Sequence, residues 1–148
     1  MIVSAITSEY NPFHNGHKYH IAKTRQITEA DFIISVMSGN FVQRGEPALF
    51  DKWTRTRLAL EKGPDMVIEL PAFFSCSGGE FFAGAAVSIM ESCGIVNNIS
   101  FGIESGTIDD IKNTGKFFSD ETDEFKKLLS QYMSMAISYP SAREKAMS

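Results

Sequence analysis

The chain has 148 residues, 43% of them hydrophobic, and carries a formal net charge of −4 at pH 7. That length supports one core-bearing domain, and no apolar run is long enough to cross a bilayer. The acidic balance excludes a self-sufficient, strongly basic nucleic-acid binder, so any RNA surface must be local or lie elsewhere.

In chain order, the first element is an apolar, β-branched run at residues 2–6. The N-terminus MIVSAITSEYN has neither the basic start nor the long apolar stretch of a signal peptide, and a cytoplasmic setting is expected. Residues 17–28 follow as a helix, with Asn15 as its cap and Gly16 permitting a tight entry. Strands are expected at 31–37, 66–70 and 99–103, and helices at 51–62 and 79–93. Asp51 caps the first of these helices, and Gly63-Pro64 stops it. Such short, nearly continuous apolar runs suit a parallel sheet buried on both faces. The order βαβαβαβ predicts an α/β fold with a doubly wound, Rossmann-like parallel sheet over residues 1–106. A helical extension covers residues 107–148, with helices at 107–113, 119–135 and from Pro140 or Ser141 onward. The run Asp120-Glu121-Thr122-Asp123-Glu124 reads as a solvated helix N-terminus. Cys76 and Cys93 form no CxxC pair and are expected as half-buried thiols.

All three histidines, His14, His17 and His20, fall within SEYNPFHNGHKYH. Three readings compete. A metal cluster is one, but a three-residue step does not keep three side chains on one helix face, and no ligand stands nearby except Glu9. A surface turn around Asn-Gly is the second. The third is a phosphate site. The segment leaves the first strand and opens the first helix, whose N-terminus offers N–H groups and a positive dipole end to an anion. Gly16 removes the side chain where a nucleotide must approach. His14 and His17 can donate hydrogen bonds to phosphoryl oxygens as charge builds on them, and His20 is read as structural.

His14-x-Gly16-His17 after a first strand is similar to the HxGH signature of the nucleotidyltransferase superfamily, which includes class I aminoacyl-tRNA synthetases and small adenylyltransferases. The longer stretches EYNPFHNGHKYH, VMSGNFVQRGEPALFDKWTRTRLAL, DMVIELP and FGIESG closely resemble, in the same order, the bacterial tRNA(Met) cytidine acetate ligase family. The resemblance implies an ATP-dependent ligase that makes acetyl-adenylate from ATP and acetate, with magnesium. The acetyl group then passes to N4 of the wobble cytidine of elongator tRNA(Met). It places ATP contacts on Thr7, Ser8, Glu9, Tyr10, Asn11, Pro12, Phe13, His14, Asn15, Gly16, His17, Lys18, Tyr19 and His20, with a further contact at Gly102. Gly102 ends the fourth strand, where a bare backbone lets adenine lie close; a strand-end bulge is the alternative. Family members are much longer, so the chain is expected to be an N-terminal piece. It should be inactive alone in the full reaction, with tRNA gripped mainly by the missing regions. Two rival functions remain: a small-molecule adenylyltransferase, and a nucleotide- or RNA-binding module without turnover.

Ser38-Gly39-Asn40-Phe41-Val42-Gln43-Arg44-Gly45-Glu46-Pro47 follows the second strand and faces the same edge. Ser38 and Asn40 could bond acetate, ribose or the loop's own backbone, and Arg44 could meet pyrophosphate or RNA phosphate. Lys52, Arg55 and Arg57 are read as either RNA contacts or solvent-facing charge. Glu69, within an apolar run, needs a partner if buried, and Arg44 or Arg55 could supply it.

Overall fold

A computed structural model describes residues 1–148 except Arg44, Glu104, Asp120, Glu121, Ala136 and Ser148, with the backbone alone described for Phe117, Phe118, Ser119 and Pro140. The four apolar runs become parallel strands: β1 (Val3–Ser8), β2 (Phe32–Ser38), β3 (Met66–Leu70) and β4 (Asn98–Ser100). Between them lie α1 (Asn15–Thr28), α2 (Lys52–Leu60), a short α3 (Ala72–Ser75) that the sequence did not lead us to expect, and α4 (Gly79–Ser92). The strand order is β3-β2-β1-β4, with Ala5 opposite Ile34 and Ile99, and Val36 opposite Ile68.

Alternation along the strands sends side chains to two cores. Val3, Ala5, Ile34, Val36 and Leu70 pack with Ala86 and Met90 of α4. Ile6, Ile33 and Met37 pack with Ile21 of α1 and Ala59 of α2. Burial on both faces holds for β1 and β2, whereas the edge strands β3 and β4 are only partly covered. β4 is also shorter than expected: it leaves the ladder after Ser100, so Gly102 lies beyond the strand rather than within it.

The loops between elements are closed by specific polar groups. Asp51 Oδ1 accepts from the backbone N–H of Trp53 and Thr54, both at 3.0 Å, and caps α2 as expected. Arg25, in the last turn of α1, bonds the carbonyls of Ala30, Asp31 and Gly63 and pairs with Asp65 at 2.7 Å. Asp65 in turn accepts from the N–H of Ile33. Gly63, which follows α2, faces Ile21: a Cβ there would lie 2.6 Å from Ile21 Cγ2. Cys93 is half-buried as expected, but Cys76 is exposed, and both are free thiols.

The chain divides into two compact units, Met1–Gly102 and Ile103–Ser148. The second holds α5 (Ile108–Ser119), α6 (Asp123–Met133) and α7 (Tyr139–Met147). α5 runs past the expected end at residue 113, since Gly115 weakens a helix without stopping it. α6 starts later than residue 119, because Thr122 caps it by accepting from Phe125 N–H at 3.2 Å. Asp123 and Glu124 occupy its first turn, whereas the Asp120 and Glu121 part of the acidic run lies outside the described residues. Phe125 of α6 and Ala142 of α7 are buried.

Gly63→Ala should lower unfolding stability by about 1–3 kcal/mol, the range for overpacking a close-packed site. Gly78→Ala, where a Cβ meets nothing within 4 Å, serves as the control. Urea midpoints measure both, and an unshifted Gly63→Ala would contradict the contact.

Candidate functional site

In a doubly wound sheet, ligands lie beyond the carboxyl ends of the strands, where the strand order reverses. The chain steps from β1 to β2 to β3 and then returns to β4 on the other side of β1, so the reversal falls between β1 and β4. A cavity of about 340 Å³ opens at the exit of β1. Thr7, Ser8, Glu9 and Tyr10 line it from that exit, His17 and His20 from α1, and Ile6, Gln43 and Phe82 complete it.

The helix cap differs from expectation. His14, not Asn15, is the N-cap of α1. Its Nδ1 accepts from the Gly16 N–H at 3.1 Å, and His17 Nδ1 accepts from the His14 N–H at 3.2 Å. This is a capping box with imidazoles in place of the usual hydroxyl and carboxylate. Each Nδ1 therefore keeps a lone pair, and each neutral ring carries its proton on Nε2. The rings stack, with centroids 3.7 Å apart and planes 22° from parallel. Burial, with the charges of His14 and His20 adding to it, lowers the His17 pKa to about 4. Near pH 7, His17 thus offers a neutral N–H donor. Gly16 has a local reason to be glycine: a Cβ there would lie 2.9 Å from His14 Cε1 and push the ring aside.

Tyr10 packs against His17. Its backbone sits at φ 46°, a left-handed conformation uncommon for tyrosine and costing about 1–3 kcal/mol. Packing offsets that cost. The side chain is 2% exposed, and its ring meets Phe13 at 4.9 Å and His17 at 5.0 Å. Its hydroxyl accepts from Ser35 Oγ at 3.2 Å, and Ser35 bonds Ser8 Oγ at 2.7 Å. His20 spans the reversal: its Nε2 bonds Ser100 Oγ of β4 at 3.0 Å, and Ser100 bonds Thr24 Oγ1 at 2.6 Å. Gly102 lies two residues further on, exposed, and a Cβ there would meet nothing within 4 Å.

Arg55 is neither an RNA contact nor a solvent-facing charge. It is fully buried. Its Nε bonds the Phe50 carbonyl at 3.0 Å, Nη1 the Glu9 carbonyl, and Nη2 the carbonyls of Ser38 and Gly39. Burial lowers its pKa, while the charges of Glu9, Asp51 and Glu69 oppose the shift. Glu69 is exposed, and among the described residues it pairs with Lys52 at 2.6 Å, while Arg55 serves backbone carbonyls instead. The expected roles of Arg44 lie outside the described residues.

The loop after β2 is pinned from several sides. Glu9 Oε1 accepts from Gln43 N–H at 2.6 Å, Asn11 Oδ1 from Leu49 N–H at 2.7 Å, and Asn40 Oδ1 from Lys52 N–H at 2.9 Å. Asn40 therefore serves the backbone, whereas the buried Ser38 Oγ has no hydrogen-bond partner among the described residues. Of the fourteen-residue window, Asn11 and Phe13 support the cavity, while Lys18 and Tyr19 face solvent. Sequence reasoning missed Phe82 as a lining residue, because an aromatic on an apolar helix stripe looks like core. Among the described residues, no three His, Cys, Asp or Glu side chains stand together as a metal set, and no helix is long and apolar enough to cross a membrane.

A model of the HIGH nucleotidyl transferase family matches residues 1–148. The tRNA(Met) cytidine acetate ligase of Clostridium novyi is 54% identical over 147 residues, which are 99% of this chain and 37% of that protein. Its counterpart in Clostridium tetani is 52% identical over 99% of this chain and 36% of its own length. A crystal structure of Thermotoga maritima TmcAL bound with alpha-thio ATP superposes with a TM-score of 0.94 at 41% identity, covering 99% of this chain and 36% of that one. The chain therefore spans little more than a third of the length of the curated relatives it matches.

Imidazole ¹⁵N NMR checks the histidine geometry. At pH 7 both His14 and His17 should show the Nε2–H tautomer, and His17 should titrate near pH 4. An Nδ1–H tautomer at either residue would contradict the capping box.

Proposed function

The chain belongs to the HIGH nucleotidyl transferase family, and on that premise we propose that its first unit binds ATP and activates acetate as acetyl-adenylate. In the whole protein the acetyl group then passes to N4 of the wobble cytidine of elongator tRNA(Met). The observation that carries this reading is the stacked His14–His17 pair, set by the helix cap itself at the N-terminus of α1.

An acetate oxygen attacks the α-phosphorus of ATP. The bond from that phosphorus to the bridging oxygen breaks, and pyrophosphate leaves with the electron pair. Negative charge grows on the equatorial phosphoryl oxygens and on the leaving group. The Nε2–H groups of His14 and His17 and the positive end of the α1 dipole meet that charge without needing to reorganise. Positioned donors of this kind are what displacement at phosphorus requires, since there is little covalent work for a side chain to do. In the second step N4 of the cytidine attacks the acetyl carbonyl, AMP departs, and N4 releases a proton.

Several facts support the reading. Curated relatives are named tRNA(Met) cytidine acetate ligases, and the Thermotoga maritima structure holds an ATP analogue. Thr7, Ser8, Glu9, Tyr10, His17 and His20 line one cavity at the strand reversal. In our reading adenine lies towards Gly102, beside the strand end that His20 holds through Ser100. No group of three His, Cys, Asp or Glu side chains stands among the described residues, and in our reading magnesium arrives on the ATP phosphates, which suit its oxygen-rich coordination. The tRNA grip belongs to the whole protein, in the cytoplasm.

ATP–pyrophosphate exchange by the whole protein tests this. Exchange should depend on acetate, and His14→Ala or His17→Ala should each lower it by about 10²–10³-fold, the usual loss for one transition-state donor. Dependence on a phosphorylated metabolite instead would point to a small-molecule adenylyltransferase. Exchange that survived both substitutions would remove the histidines from the chemistry.

A further inference from the structure

We propose that Trp53 is an aromatic platform on which an unpaired nucleotide of the RNA substrate stacks while the neighbouring cytidine enters the mouth. The inference rests on the function proposed above and adds to it a contact site for the acceptor.

Trp53 is the chain's single tryptophan, and it is 73% exposed. It sits in the first turn of α2, which begins at Lys52 just after the loop that leaves β2. That turn therefore lies on the same edge of the sheet as the cavity. Arg55, two residues on, bonds the carbonyls of Glu9 and Ser38 at the mouth. Two residues along a helix correspond to roughly 200° of rotation, so the turn that fixes Arg55 inward presents Trp53 outward.

The ring is held in place on one side. Asp51 Oδ1 accepts from the Trp53 N–H at 3.0 Å, which sets the backbone. Lys52 Nζ lies 5.2 Å from the ring centroid, and Glu69 pins that ammonium at 2.6 Å. The pinned cation makes a cation–π contact with the ring. Arg57, one turn further along the same exposed face, has no ion-pair partner among the described residues.

An exposed indole with an ammonium at its face and a guanidinium one turn away has the composition of a single-strand nucleic-acid platform. The ring stacks a base, and the Arg57 guanidinium meets phosphate, since Glu69 already pairs the Lys52 ammonium. A protein-docking face would be expected to exclude charge from its centre. The chemistry of the acceptor points the same way. The N4 amine of a cytidine is reachable only when that base leaves its stack, and single-stranded loops are read by aromatic side chains that take over the lost stacking. The overall charge of −4 is compatible with a patch this small, since the surface needs to hold one or two nucleotides.

The test uses the whole protein and an elongator tRNA(Met) transcript. Trp53→Ala should raise the Kd for that RNA by roughly ten- to hundredfold, the measured scale for losing one base–aromatic stack. Acetate-dependent ATP–pyrophosphate exchange without RNA should stay within about twofold, because Trp53 touches neither histidine. Trp53→Phe should restore most of the affinity. RNA should quench a fluorescence component that is present in the wild type and absent from Trp53→Phe. Unchanged RNA affinity in Trp53→Ala overturns the proposal, as does exchange that falls in step with RNA affinity, which would make the residue a structural support. A changed oligomeric state with RNA affinity intact overturns it in favour of a protein contact. A wild type that shows no acetate-dependent exchange overturns the proposed function first, and the platform with it.

Discussion

A buried arginine holds the mouth of this protein together. Among the described residues no carboxylate touches the Arg55 guanidinium; backbone carbonyls from three chain segments solvate the charge instead. Those segments are the exit of β1 at Glu9, the exit of β2 at Ser38 and Gly39, and the entry to α2 at Phe50. A buried cation left unpaired costs several kcal/mol, so these carbonyls must converge for the fold to keep it. The planar fork of arginine can reach several acceptors at fixed angles, which an ammonium cannot. The clamp thereby fixes the relative positions of the three segments that carry Tyr10, Gln43 and Trp53.

On that frame the histidine pair joins folding to chemistry. The Nδ1 atoms of His14 and His17 start the helix by accepting backbone N–H groups. Their Nε2–H groups are left as donors. One set of hydrogen bonds thus caps α1, chooses the tautomer, and keeps His17 neutral near pH 7 together with burial. Gly16 belongs to the same device, since its missing Cβ is the space occupied by the His14 ring. The strained Tyr10 backbone is held by a ring that packs on His17, so strain and orientation are also joined.

The strands, their parallel direction and the cap at Asp51 were legible in the sequence because apolar periodicity and turn chemistry are local signals. The HxGH spacing carried the place of the histidines for the same reason. Other features were not legible. The cap at His14 was missed because histidine is not among the usual capping residues. Arg55 was read as a surface charge because its partners are backbone carbonyls, which leave no trace in residue type. Glu69 is exposed rather than buried, and it pairs with Lys52, which the sequence reading did not offer as its partner. Phe82 reaches the cavity from a helix whose sequence declares only an apolar stripe.

The dependence of the mouth on the clamp can be measured by titration calorimetry of ATP with the whole protein and its Arg55→Lys variant, at a temperature where circular dichroism shows both folded. Lysine keeps the charge but cannot hold the β1 exit, β2 exit and α2 entry at once. Charge-assisted hydrogen bonds contribute about 1.5–3 kcal/mol each, so affinity for ATP should fall by about tenfold or more. Equal affinity in the two folded proteins would mean that the nucleotide mouth keeps its shape without Arg55.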